Sequence, residues 1–576
     1  MNISPVGGGT AEEPYRAGWQ FYAVIAAASA IRYWLGSGYP VFAIGSAVHD
    51  DYLFIKLASY LLHGQWLGSY DQYTLIKGPF YPLFIAAAHL TGLPLLDMEQ
   101  ALYIFSAFVL ILAIAPILKN RVLLFLLFAA ILFLPISFDF WIAARIIRDF
   151  VYASLTLLLV ACTIALTTRT SASLLQLLPW SLGLGLSLFA FWTIREEAAW
   201  ILPFVVLFLG GGLAYLVLIA HPQILWRLGL ILLTLAIWWG GVAAVSWINY
   251  SHYGIFAVTE INDPTFDAAF GALTRVKSPV WYPDVPVTAE ARKLIYPLSP
   301  AVRELEPFLE GQLGKNWASF DTRRYPNPHE VEIQGGWNMW AFRDAVASAG
   351  HYSSGKFPAA YYRQIAAQIG QACDSGALKC YPKTISISQP MDARHLPFIA
   401  QSTLRSAKFL FRFKNFTVTD HYASLAPDHW PIFEEVTNQL VSGGGKSASG
   451  QNSTSANAVH HFFVVKVISR IAHGYALVAP SFSIFAVLVF ILELLHNLIR
   501  RRITLAVLLS LGLWIEIAAR VFLLALLDAT SFPAINTSYF APAYPLVVTV
   551  QFLSASIVYQ WIVQFSRRRV TAGSAT

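Results

Sequence analysis

Three short charged clusters sit beside apolar runs in this 576-residue chain, and each could do chemistry. The first is His49-Asp50-Asp51-Tyr52, followed by Trp66-Leu67 and by Lys77-Gly78-Pro79. One carboxylate of an adjacent pair can take a proton from an incoming hydroxyl while its neighbour orients the group or holds a metal. Lys77 could neutralise a phosphate at the level of lipid headgroups. The same residues also read as a solvated loop whose acids only set topology.

The second cluster is Arg145, Arg148 and Asp149, where a new apolar run begins at Phe150. Its plain reading is a local ion pair, Arg145 with Asp149 one helical turn on. The third is Arg195-Glu196-Glu197 between two apolar runs. A charge at the centre of a membrane helix costs about 2.5–3.5 kcal/mol, so three in sequence at a span end need water, partners or a ligand. A guanidinium grips phosphate well, and an internal salt bridge is the competing reading for Arg195. The late segment Tyr539-Phe540-Ala541-Pro542-Ala543-Tyr544-Pro545 is, taken alone, an ordinary aromatic interface anchor.

The elements that must position these residues are membrane helices. The chain is 56% hydrophobic and only 12% charged, against nearer a quarter charged in a soluble domain. Apolar runs of roughly 20 residues, enough to cross about 30 Å of hydrocarbon, lie near 19–46, 98–118, 122–142, 150–167, 178–194, 198–219, 228–248, 473–495, 503–526 and 544–565. Alternate short loops carry Lys119 and Arg121, Arg169, Arg227, Arg500 to Arg502, and Arg567 to Arg569. All fall on one side, which the charge rule makes cytoplasmic, with both termini. The net charge of +7 therefore reflects topology, and no nucleic-acid partner is expected. The polar N-terminus leads into an uncleaved first span. All three charged clusters then lie on the outer face. The 78–92 stretch, short and opening on Gly78-Pro79, is expected to lie along the membrane surface.

Between about 254 and 460 the composition turns soluble. Phe357, Tyr361, Ile365 and Ile369 keep helical spacing, with Gly376 as a stop signal. Cys373 and Cys380 fall here and are expected to form a disulfide in an oxidising compartment; Cys162 is mid-span. Gly443 to Ala456 reads as a flexible linker. Trp317, Trp337 and Trp340 could stack on sugar faces, although core packing is the simpler account. No internal repeat is found.

Taken together, the motifs resemble the C-type superfamily of membrane glycosyltransferases, which take sugars from polyprenyl-phosphate carriers. Members open their first outer loop with Asp-Glu or Asp-Asp, follow it with a "gdW" element, and place a Lys-Pro-Pro-like motif about 30 residues after the acids. Asp50-Asp51, Gly64-Gln65-Trp66-Leu67 and Lys77-Gly78-Pro79 match in order, and Arg148-Asp149 fits the acid that opens the fourth span. Tyr539-x-x-Pro542-x-x-Pro545 resembles the family's late Arg-Tyr-x-x-Pro-x-x-Pro, with Ser538 in place of the arginine. Asp51 stands for the commoner Glu and Gly78 for the first proline. The aminoarabinose and protein-mannosyl transferase branch is nearest, and the 254–460 stretch lies outside the resemblance.

The apolar runs, loop charges and change of composition imply an all-α polytopic membrane protein of about ten transmembrane helices, with outer-face juxtamembrane helices and one inserted soluble domain, mainly helical or α+β. Residues 1–253 would be the catalytic membrane module with its first outer loop at 47–97, residues 254–460 a periplasmic domain, and 461–576 the closing helices. The setting would be a bacterial inner membrane. The expected reaction is inverting transfer of a hexosyl or pentosyl unit from a polyprenyl-phosphate donor to a glycan, lipid or protein acceptor. Asp50 would be the base, with Asp51 and Asp149 beside it. Lys77, Arg148 and Arg195 would hold the phosphate, and His49, Glu196, Glu197 and Tyr539 would support them. A divalent ion could sit on Asp50 and Asp149, the one cofactor the pattern leaves open. The alternative is a transporter or flippase of a lipid-linked glycan, which would usually show deep broken helices and internal symmetry.

Overall fold

The structure is a computed structural model describing residues 2–4, 18–37, 39–45, 47, 49–320, 330–382, 390–418, 423–425, 427–441 and 455–573. The expected linker from Gly443 lies outside the described residues up to Thr454.

Nine of the described helices are long and apolar enough to cross a membrane: Leu95–Leu118, Arg121–Phe138, Asp149–Thr168, Leu174–Ile194, Ala198–Leu218, Ile224–Tyr253, Phe463–Ile499, Leu505–Thr530 and Ala543–Ser566. The tenth expected span is the helix Trp19–Gly36, whose 18 residues reach ~27 Å at about 1.5 Å per residue. Its tryptophans, tyrosines and Arg32 keep it out of the apolar set. Arg32 is fully buried and donates to the carbonyls of Leu132 (3.1 Å) and Ser137 (2.7 Å) and to Gln100 Oε1 (3.0 Å). A buried guanidinium needs such partners, and here they tie the first helix to its neighbours.

The helix ends at Gly36, not near residue 46. Residues 41–45 continue as extended chain clamped on both sides: Val41 N–H donates to Leu440 O (2.9 Å), Phe42 N–H to Ala144 O (2.8 Å), and Gly45 N–H to Ser424 Oγ (3.0 Å). That clamp delivers His49 and Asp50 to the start of the helix Asp51–Leu62. Stretch 78–92 forms the helix Phe80–Thr91, too short at 12 residues to span, ended by Gly92 in the left-handed region.

Asp149–Thr168 is the central post of the bundle, with 89% of its apolar window buried. Asn120 caps the helix Arg121–Leu132 by accepting from Val122 N–H (2.9 Å) and Leu123 N–H (3.1 Å), and Ser173 with Gln176 forms a capping box at Leu174–Ile194. At the same end of the bundle, Arg227 donates to the Arg169 and Ala172 carbonyls (3.2 and 3.0 Å). Asn2–Ser4 pairs in parallel with Arg502–Thr504.

Between Gly254 and Val441 the regular structure of the described residues consists of helices joined by irregular chain, with isolated bridges such as Val276 with Cys380. Phe266, Phe270, Trp317, Phe342, Ile365 and Ile369 form one core. Leu410, Phe413, Phe433 and Val436 belong instead to the core of the membrane helices. Two helices are the reason: Leu396–Arg412 lies against Leu505–Thr530, with Ser402 Oγ–H donating to Asp528 (2.6 Å), and Trp430–Thr437 packs on Asp51–Leu62 and Phe80–Thr91. Tyr361, Ile365 and Ile369 are buried along Lys356–Asp374, and Gly376 follows with φ +76°. Cys373 and Cys380 are joined in a disulfide, and Cys162 is buried and free.

Candidate active site

Five separate parts of the chain bring ionised side chains to one end of the bundle. Asp50 and Asp51 stand at the start of Asp51–Leu62, and Asp149 opens Asp149–Thr168; the positive end of each helix dipole favours a carboxylate there. Lys77 comes from the loop before Phe80–Thr91. Arg145 and Arg148 lie in the turn ahead of Asp149. Arg195, Glu196 and Glu197 follow Leu174–Ile194, and Arg520 reaches in from Leu505–Thr530.

The pairings are specific. Lys77 Nζ donates to Asp50 Oδ1. Arg145 binds Asp51 through Nε and Nη2 (2.9, 3.2 and 2.7 Å) and lies 3.9 Å from Asp50. Arg148 forms a two-pronged pair with Glu196 (2.9 and 2.7 Å) and also donates to Ile194 O (2.6 Å). Arg195 pairs with Asp149 and, at 2.7 Å, with Glu197, which also lies 3.6 Å from Arg520. The local pair expected between Arg145 and Asp149 is therefore not made. Tertiary partners took both residues, because the turn at 144–148 aims Arg145 at Asp51 rather than back along its own helix.

Five carboxylates thus face five cations in a balanced network. Accessibility separates them: the side chain of Asp50 is 37% exposed, while Asp51 is 0% and Asp149 4%. Burial and the guanidiniums of Arg148, Arg195 and Arg145 push the Lys77 ammonium well below its usual range, with Glu196 opposing them. Tyr81 donates to Glu99 Oε1 at 2.8 Å, and burial and Glu99 raise its phenol.

Gly78, where the family pattern has proline, is explained by packing. A Cβ at this position would collide with the Thr193 carbonyl, so only glycine lets the Lys77 loop close onto the end of Leu174–Ile194.

His49 turns from the carboxylates toward the inserted segment. Its ring stacks on Trp317 (4.9 Å between centroids) and lies against Trp340 (4.7 Å) and Tyr73 (5.0 Å). Burial and Lys77 push it down to about 4, so it is neutral near pH 7. Trp317, Trp337 and Trp340 pack on one another, and Trp317 donates to Asp344 (2.9 Å). Tyr539 places its ring against the Arg195 guanidinium (4.9 Å), and its carbonyl accepts from Arg520 (3.0 and 2.6 Å).

Arg520 was missed from the sequence. The signal was there: Glu516 and Arg520 are charges one turn apart inside an apolar run, which marks a functional candidate. The loop around Ser538 carries no arginine of its own, and Arg520 reaches its backbone from the neighbouring helix.

Among the described residues, no three carboxylate, imidazole or thiol groups converge to hold a metal ion. Asp50 faces Lys77 and Asp149 faces Arg195, so each carboxylate already has a cationic partner.

No family model matches the sequence, and no curated protein matches it. Among solved structures, the chain is similar to ArnT from Cupriavidus metallidurans in the apo state, at 13% identity and TM-score 0.31 over 94% of this chain and 78% of that one. It is similar also to ArnT from the same organism bound to undecaprenyl phosphate, at 12% identity and TM-score 0.28 over the same shares. A third similarity is to the Archaeoglobus fulgidus oligosaccharyltransferase in the apo form, at 12% identity and TM-score 0.35, over 97% of this chain and 53% of that one.

Proposed function

We propose that this chain is a membrane glycosyltransferase that moves a sugar from a polyprenyl-phosphate carrier to an acceptor hydroxyl, with Asp50 as general base. The observation that carries the reading is the ion pair of Lys77 with the exposed Asp50, set among buried pairs that remote segments bring together.

The network is neutral before substrate arrives, so a donor phosphate must displace a carboxylate. Asp50 is the acid that leaves most easily, being the most exposed. Phosphate then takes its place on Lys77, with Arg148 and Arg195 behind it. The released Asp50 carboxylate accepts the proton of the acceptor hydroxyl. The acceptor oxygen bonds to the anomeric carbon from the face opposite the phosphate, the carbon–phosphate oxygen bond breaks, and its electron pair leaves on the phosphate. Fixed cations lower that barrier, one such contact being worth about 3 kcal/mol. Asp51, locked by Arg145, holds the helix start that carries Asp50. Asp149 and Glu197 fix Arg195. Supporting an outward site, Arg169, Arg227 and the Arg500–Arg502 turn belong to the opposite, basic end, which the charge rule makes cytoplasmic; the paired Asn2–Ser4 strand sits there too.

The test is label transfer from a polyprenyl-phosphate sugar donor in proteoliposomes. Transfer that needs Lys77 and Asp50 supports the reading. Movement of intact donor between leaflets with no sugar released would favour the flippase instead.

A further inference from the structure

Beside the ion-pair network lies a cavity of about 70 Å³, walled by Gly78, Trp192, Arg195, Glu196, Thr259 and Asn262. At roughly 10–15 Å³ of such space per water it has room for about five to seven waters. That suits one sugar ring, and is too small for a longer oligosaccharide. Its lining shares Arg195 and Glu196 with the network, and Gly78 on its wall follows Lys77 directly in the chain.

The wall chemistry is mixed in a particular way. Trp192, half-buried in the last turn of Leu174–Ile194, offers an aromatic surface and is held by Trp238 (5.2 Å, edge-on). Thr259 is 2% exposed, yet its Oγ makes no hydrogen bond within the protein. Leaving a buried hydroxyl unpaired costs about 1–3 kcal/mol, so a wall that carries one is built for a ligand group or water. Asn262 is exposed and adds an amide that can both donate and accept. The segment holding both is fixed to the Lys77 loop, because Glu260 N–H donates to Leu75 O (2.8 Å). An aromatic face with hydroxyl, amide and carboxylate groups around it matches a ring that is apolar on its C–H side and rimmed with hydroxyls.

We propose that this cavity is a monosaccharide subsite: a neutral hexose ring lies on Trp192, with its hydroxyls on Thr259 Oγ, Asn262 and the Arg195 guanidinium. The inference rests on the transferase reading and deepens it. The ring could belong to the donor lipid or to a glycan acceptor, which share this chemistry.

The experiment measures equilibrium binding to the full-length protein in nanodiscs, with Thr259→Val and Asn262→Ala as variants. One arm compares undecaprenyl phosphate with undecaprenyl-phosphate-linked glucose, mannose and galactose. The other uses methyl hexosides and short neutral oligosaccharides without phosphate. The expected result is that one arm shows a sugar-dependent gain in affinity, that either variant lowers it about tenfold, and that bare undecaprenyl phosphate binds all forms alike. The responding arm names the source of the ring. Wild-type protein with no sugar-dependent binding in either arm overturns the subsite, as does unchanged sugar binding in both variants. Sugar binding that fails in the variants while no sugar is ever transferred would keep the subsite and remove the transferase reading.

Discussion

Arg145 grips both carboxylate oxygens of Asp51 with the Nε–Nη2 edge of its guanidinium, at 2.7 to 3.2 Å, although 94 residues separate them in sequence. The pair joins the start of Asp51–Leu62 to the turn before Asp149–Thr168, so it fixes the two acid-bearing helix ends relative to each other. Asp51 is fully buried, and removing the arginine leaves its charge uncompensated. Arg145→Ala should destabilise the protein by about 3–5 kcal/mol, and Asp51→Asn together with Arg145→Met should cost less than either single change. Thermal unfolding in detergent checks this; strictly additive losses would contradict it.

Lys77 is held below the ordinary lysine range by burial and by three guanidiniums. A lysine with a lowered pKa keeps its charge below that value and loses it as pH rises through it. Donor binding should therefore fall on the alkaline side well before pH ~10.4, the value of a free lysine. Lys77→Arg should push that limb upward while lowering activity roughly 10-fold, because a fork does not fit a point-charge site. A pH profile of kcat/KM for both proteins decides it.

Arg343 and Glu260 form a second buried pair at 2.6 Å, with Tyr70 and Tyr352 donating to the same carboxylate (3.0 and 2.7 Å). Tyr70 belongs to the loop that carries Lys77, so this pair clasps the inserted segment to the site. Arg343→Met should raise amide hydrogen exchange across residues 69–79 and lower kcat/KM, with the membrane helices still folded. Unchanged exchange there would remove the clasp.

Glu332 accepts from Ala289 N–H (3.1 Å), and burial raises its carboxyl to about 7. The folded state then prefers the protonated acid. Its contribution is fully present below the unfolded value of about 4.3 and is lost as pH rises through about 7. Glu332→Gln should flatten this fall, on the order of 3–4 kcal/mol between pH 4 and 8, in unfolding followed by tryptophan fluorescence.

Much of this architecture can be read from residue order. Runs of about twenty apolar residues locate the helices because hydrocarbon thickness leaves little choice of length. The short acids and cations at one set of helix ends were legible as a site for the same reason: charges there need partners. What order does not carry is who pairs with whom. Arg145 could choose Asp149 nearby or Asp51 far away, and the clamp of Phe42 against Ala144 and Ile146 sets it beside Asp51. Arg520 stands out as a charge inside an apolar run, but order does not say which loop it reaches; Leu396–Arg412 falls in the stretch of soluble composition because its polar face is as marked as its apolar one. That apolar face packs on Leu505–Thr530, a partner found a hundred residues later.

The central claim is that Asp50 gives up Lys77 to phosphate and then takes the acceptor's proton. Asp50→Asn measured for both donor binding and sugar transfer tests it most directly. The account predicts that the variant binds the polyprenyl-phosphate donor at least as well as wild type, while transfer falls about 10²–10⁴-fold. Transfer at the wild-type rate, with binding unchanged, would contradict it.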